Sequence, residues 1–236
     1  MKILELHSWD VTPKEAVDIQ ISLYAKICLN NKFQKIEKIA GADIAFDPLS
    51  QKGFAGVILY QFPELKVVER TQAILKLSFP YVPGLLAFRE APVLLEAFRL
   101  LRHEPDIIFF DGQGIAHPRG MGIASHLGLI LDKPTIGCAK SVLVGKYREP
   151  SQEVGAYSSL IHKENKVGVA LRTRKNVRPI FVSPGHKIDL EKSIELVLAC
   201  CDGYRIPKPT READHFVAQI KEAEIQRCKE TKKKQY

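Results

Sequence analysis

The sequence predicts an α/β fold, a mixed β-sheet flanked by helices, and three observations lead there. Residues 39–77 hold three consecutive strand-like segments joined by turns, the pattern of antiparallel neighbours. Residues 106–139 then alternate apolar strand, helix and apolar strand, the rhythm of parallel βαβ units. The chain has 236 residues and 45% hydrophobic content, enough to fill a core, and no repeat or Pro/Gly/Ser linker divides it. A single domain over residues 1–226 is expected, with a basic tail over residues 227–236.

Taken in order, Thr12-Pro13-Lys14-Glu15 supplies an N-cap, Pro at the first helical position and Glu at the third, with Ala16, Ile19, Leu23 and Ile27 at helical spacing. Segments 39–46, 54–61 and 66–77 are short and rich in β-branched or aromatic residues. After the break at Pro80 to Gly84, Phe88, Ala91, Leu94, Leu95, Phe98 and Leu101 mark a helix with Pro92 near its start. Segments 106–110 and 134–139 are strands around a helix at 122–131. Val167 to Arg172 and Val177 to Ser183 flank a turn at Arg174-Lys175-Asn176 and form a hairpin. Two helices close the chain, the first capped by Asp189 and the second by Thr210. This order matches a ribonuclease H-like architecture, and a generic α/β layer fold gives much the same pattern.

The net charge is +8, and Arg227 to Tyr236 supply five positive charges and one negative. The remaining excess is mild, permitting a phosphate-rich partner without requiring one. The five cysteines are odd in number and lack C-x-x-C spacing, so reduced thiols in a cytoplasmic protein are expected. The first twelve residues are too polar for a signal peptide. No run approaches the roughly 20 apolar residues of a membrane span.

Asp43 sits in the otherwise apolar Gly41-Ala42-Asp43-Ile44-Ala45-Phe46, where an isolated buried carboxylate is costly. It needs a partner, a metal or an exit to solvent. Asp111 ends an apolar strand, and carboxyl ends of parallel strands are where α/β sheets place ligands. Glu90 belongs to the opening of its helix, where an acid also complements the dipole. Together the three can meet at one end of a sheet and hold Mg²⁺, which takes hard oxygen ligands and activates water for phosphodiester chemistry. Asp214, in the first turn of the last helix, is a candidate fourth ligand, with Glu212 and His215 as rivals. The stretch Asp111 to Gly120 fits no nucleotide-cofactor motif. His117 within it is either a surface histidine or a site residue. Lys140, at the end of a strand, is either solvated or placed to stabilise developing charge. Pro80-Tyr81-Val82-Pro83 is a stiff aromatic-tipped loop, either packed on the core or presented as a wedge between bases.

Gly41-Ala42-Asp43, Pro80-Tyr81-Val82-Pro83-Gly84, Phe88-Arg89-Glu90, Asp111 to Arg119, Ala124 to Gly128, Gly137 to Ser141, Ser183 to His186 and Pro207 to Arg211 together closely resemble the endonuclease V family, in order and over nearly the whole domain. The resemblance implies a ribonuclease H-like fold and Mg²⁺-dependent cleavage, with Mn²⁺ substituting, at the second phosphodiester bond 3′ of deoxyinosine, leaving 3′-hydroxyl and 5′-phosphate ends. It places Asp43, Glu90, Asp111 and Asp214 as metal ligands, His117 and Lys140 as catalytic helpers, and Pro80, Tyr81, Val82 and Pro83 as a strand-separating wedge. Gly84, Leu85, Gly112 and Ile123 fall where the flipped base is enclosed. Gly120 departs from the family, many of whose members have a second arginine there. The expected partner is DNA containing deoxyinosine, with inosine-containing RNA as the alternative, and the expected state is a cytoplasmic monomer whose Lys232 to Lys234 run is a disordered electrostatic arm. A structure-selective or RNA-directed nuclease and a noncatalytic nucleic-acid-binding protein are the competing readings. The intact acids argue against the last.

Overall fold

A computed structural model describes residues 1–233. Its centre is one eight-stranded mixed sheet in the order β3-β2-β1-β4-β5-β8-β7-β6. The strands are β1 (Lys38–Asp47), β2 (Lys52–Gln61), β3 (Lys66–Lys76), β4 (Ile107–Phe110), β5 (Thr135–Ala139), β6 (Tyr157–His162), β7 (Asn165–Leu171) and β8 (Ile180–His186). The meander β1-β2-β3 is antiparallel, β1-β4-β5 is parallel, and β8-β7-β6 returns to antiparallel pairing.

Alternation along the central strands divides the core. Ala40, Ala42, Ile108 and Phe110 point to one face and pack with α2 (Leu86–Arg99) and α3 (Ile123–Leu131). Ile39, Ile107 and Phe109 point to the other, beneath α4 (Leu190–Ala199) and α5 (Lys208–Lys233). The first helix, α1 (Pro13–Tyr24), closes the α2/α3 side, its Ala16 packing with Phe79, Leu85 and Phe88. As its sequence predicts, Thr12 caps it with a full capping box. Ile27 lies beyond its end.

Several expectations need correction. Because Gly84 and Leu85 end the preceding loop, α2 starts at Leu86, and Pro92 falls in its interior rather than near its start. Strand β6 is absent from the predicted set. Its turn, Lys163-Glu164, takes positive φ at both residues without the usual glycine or asparagine. Asp189 caps α4 as predicted, but α5 begins at Lys208, and the Thr210 hydroxyl donates to the Pro207 carbonyl (3.1 Å) from inside the first turn. Asp214 therefore occupies the second turn. Of the Lys232 to Lys234 run expected to be a disordered arm, Lys232 and Lys233 continue α5, and Lys234 to Tyr236 lie outside the described residues. Among the described residues no helix is long and apolar enough to cross a membrane.

Candidate active site

Register places the first two acids side by side. Ala42 pairs with Phe110 across the parallel β1-β4 ladder, so Asp43 and Asp111, the next residue on each chain, are neighbours at the strands' carboxyl ends. Both follow Ile39 and Phe109 in alternation and face α5. The third acid arrives because α5 lies directly on the sheet. A side chain at Gly41 would put its Cβ 2.0 Å from the Pro209 carbonyl oxygen, so only glycine allows this approach. One carboxylate oxygen each from Asp43, Asp111 and Asp214 then falls within 4.8 Å of the others. Of the two rivals, Glu212 accepts from the Tyr60 hydroxyl (2.8 Å), and His215 is exposed.

Glu90 is different. It stands on α2, across the sheet, and is not in the three-acid cluster. Its charge still reaches the cluster: burial, then repulsion from Asp43 and Asp111, pushes its pKa up to about 8 against the pull of Arg89. Burial, then Asp111, raises Asp43 to about 8 as well. Burial also raises Asp111, with Lys140 opposing. The Lys140 Nζ sits 2.6 Å from Asp111 and 3.2 Å from Asp214. Partial burial disfavours its charge, yet Asp111 and Asp214 hold its pKa above the ordinary value. Asp43, Asp111 and Asp214 share this one ammonium, so the cluster is short of positive charge. An all-oxygen donor set with excess negative charge fits a hard divalent cation.

Beside the acids lies a pocket of about 310 Å³ bounded by Tyr81, Gly84, Gly112, Ile123, Lys140 and Leu143, among others. Tyr81 is 73% exposed at its rim, and Pro80 and Pro83 flanking it are exposed while Val82 packs toward Phe88. Leu85 does not line this pocket. It is buried with Ala16, Phe79 and Phe88, because Gly84 at φ +78 turns the chain inward.

His117 is not free to act as a helper. The backbone amides of Arg119 (3.2 Å) and Met121 (3.3 Å) donate to its Nδ1, so Nε2 carries the proton and donates to the Gly84 carbonyl (2.9 Å). Burial, then Arg119, lowers its pKa to about 4 and keeps the ring neutral. The same carbonyl accepts from Gln20 Nε2 (3.1 Å) and Arg119 Nη2 (2.7 Å), and Gln20 accepts in turn from Arg119 Nε (2.6 Å). This hub fixes the hinge of the Tyr81 loop. Gln20 is absent from the sequence-based set, and the available signal is an uncharged polar residue beside the apolar stripe of α1. Gly120, at φ +69, leaves room for the Tyr24 ring, which a Cβ would meet at 2.2 Å.

The family model of endonuclease V matches residues 21–215. Endonuclease V of Dehalococcoides mccartyi (strain CBDB1) is 48% identical over 220 residues, covering 93% of this chain and 99% of the relative. The crystal structure of the Bacillus subtilis endonuclease V superposes with a TM-score of 0.92 at 34% identity, covering 96% of this chain and all of that one. That of Ciona intestinalis endonuclease V, in complex with a 24-mer DNA containing an inosine followed by a ribo-adenosine, gives 0.79 at 28% identity, covering 89% of this chain and 98% of that one.

Proposed function

The chain belongs to the endonuclease V family, and from that premise we propose that it is a divalent-metal-dependent endonuclease that recognises deoxyinosine in DNA. It hydrolyses the second phosphodiester bond 3′ of the lesion, leaving 3′-hydroxyl and 5′-phosphate ends, and works as a cytoplasmic monomer. The observation carrying this reading is the convergence of Asp43, Asp111 and Asp214 on Lys140 at the mouth of a pocket rimmed by Tyr81.

Asp43, Asp111 and Asp214 would hold Mg²⁺, with Mn²⁺ as its substitute and Glu90 adding charge from across the sheet. When bound, such an ion activates an attacking water and neutralises the leaving oxygen. Lys140 keeps its proton at Nζ, holds the Asp111 and Asp214 carboxylates in place and offers positive charge to a phosphate oxygen. Tyr81 enters the stack and holds strands apart. Gly84, Gly112 and Ile123 border the extruded base, with Gly84 held still by His117, Gln20 and Arg119. His117 is thus a positioning residue in this scheme. Inosine-containing RNA is the second reading, favoured by the ribo-adenosine in the Ciona complex.

The test is cleavage of an end-labelled duplex carrying one deoxyinosine, with Mg²⁺ and with chelator. A single Mg²⁺-dependent incision at the second bond 3′ of the lesion is expected. Release of free hypoxanthine, or equal cleavage of a guanosine control, would overturn the reading.

A further inference from the structure

Lys140 also borders a second depression, on the side away from Tyr81. Lys140, Ser141 and Val142 form its shared wall with the active-site pocket, and Tyr147, Arg178 and Arg205 also line it. Tyr147 in turn joins this depression to a third, which also contains Lys146, Arg148 and Ser158. Through these shared walls the three depressions follow one another as a groove that starts beside Asp111.

Its chemistry is uniform. Lys146, Arg148 and Arg178 are exposed, and among the described residues none has a carboxylate within 4.0 Å. The acid in the second depression, Glu149, is engaged by Arg172 Nη2 at 2.6 Å. The Arg178 charge adds to burial in lowering the pKa of Arg205, so two like charges stand together where an anion would relieve them. Tyr147 packs edge-on against Phe181 (ring centroids 5.1 Å apart, interplanar angle 70°) and leaves 37% of its surface open. Its backbone is fixed by reciprocal bonds between Lys146 and Ile161 (2.8 and 2.9 Å). A rigid exposed aromatic among unpaired cations suits a single-stranded polynucleotide, whose bases stack while its phosphates meet the cations.

We propose that this groove binds the single strand that continues 3′ of the cleaved bond. The direction rests on the proposed function: the lesion occupies the Tyr81 side, cleavage falls 3′ of it at Lys140, and the groove begins beyond Lys140. Shared single-strand chemistry accommodates a DNA or an RNA continuation.

The experiment measures binding in chelator of oligonucleotides with a fixed 5′ portion, a single inosine and a 3′ single strand of increasing length, built in DNA and in RNA. The wild type should gain roughly tenfold in affinity as the 3′ strand lengthens past the cleaved bond. Combined Tyr147→Ala and Arg178→Ala should erase that gain and lower the log–log salt slope by about 0.7 per lost phosphate contact. Tyr147→Phe should keep the gain, and an unchanged melting temperature establishes that the variants are folded. A gain in DNA, in RNA or in both supports the groove and identifies its strand. A gain that survives the double substitution, or that comes only from 5′ extension, overturns it. The same series with guanosine in place of inosine separates the two claims: equal binding and cleavage there would defeat the lesion specificity, while the length dependence still decides the groove.

Discussion

Gly41→Ala tests whether the seating of α5 on β1 builds the metal-binding cluster. The new Cβ would lie 2.0 Å from the Pro209 carbonyl oxygen, against 3.4 Å for an ordinary contact, so backbone must move by about 1.4 Å. Neither partner is a flexible side chain. Pro209 lies in the first turn of α5 and Asp214 in its second, so the displacement carries Asp214 away from Asp43 and Asp111. Overpacking of this kind costs about 1–3 kcal/mol, or roughly 2–4 °C of melting temperature per kcal/mol for a chain of this size. A misplacement of about 1 Å at a catalytic group can cost on the order of a hundredfold in rate. The assay is single-turnover cleavage of deoxyinosine duplex across a Mg²⁺ titration, alongside thermal melting. The expected outcome is a folded protein with a slower maximal rate and a Mg²⁺ midpoint shifted to higher concentration. Because both act on one carboxylate, adding Gly41→Ala to Asp214→Asn should cost little further activity. A wild-type rate and Mg²⁺ midpoint in Gly41→Ala, or full additivity with Asp214→Asn, would refute the reasoning.

Asp43→Asn removes a carboxyl group whose burial, with Asp111 beside it, raises its pKa to about 8; it should lose roughly a hundredfold or more in cleavage yet melt a few degrees higher in metal-free buffer at pH 7. A fully active variant, or one that melts lower, contradicts that assignment. Tyr81→Ala should lose about tenfold or more on inosine in a well-paired duplex, less opposite a mismatch and least on single-stranded DNA, because unstacking costs a few kcal/mol only where bases are stacked; equal fractional losses by single-turnover kinetics would remove the wedge. Glu69 accepts from the Arg102 and His103 amides and side chains, and these bonds outweigh burial to lower its pKa to about 2. Its contribution is therefore present above pH 4.5 and fades as pH falls towards 2, so Glu69→Gln should cost about 2 kcal/mol at pH 7 by denaturant unfolding, with a gap to wild type that narrows below pH 4.5; a pH-independent gap would count against it.

The sheet was legible where side-chain chemistry and backbone geometry agree. Residues 39–77 read as three strands because β-branched and aromatic runs alternate with turn residues, and the Thr12 and Asp189 caps are local hydrogen bonds written into four-residue windows. Strand β6 escaped because Tyr157-Ser158-Ser159-Leu160 buries only Leu160, which leaves no apolar period, and because its Lys163-Glu164 turn lacks turn residues. Thr210 misled because Pro209 at the second helical position lets α5 start earlier than its best capping residue. Both misses lie in the local signal itself, one an exposed strand without an apolar period and the other a capping residue already inside its helix.

The acids show the same division between local signal and three-dimensional placement. Asp43 and Asp111 stand out in sequence because each interrupts or ends an apolar strand, and parallel register then makes them neighbours. Asp214 joins them through Gly41, a residue whose role is visible only once α5 lies on β1. Glu90 shows what sequence spacing omits: strand alternation assigns Asp43 and Asp111 to the α5 face, whereas Glu90 grows from α2 behind the sheet. Its charge reaches Asp43 and Asp111, while its carboxylate lies outside the group gathered within 4.8 Å. His117 goes the other way. Its position in a loop beside Asp111 suggests chemistry, yet two amides on Nδ1 and one carbonyl on Nε2 use both ring nitrogens. A histidine so bound contributes by holding Gly84 in place, which fixes the pocket edge and the base of the Tyr81 loop together.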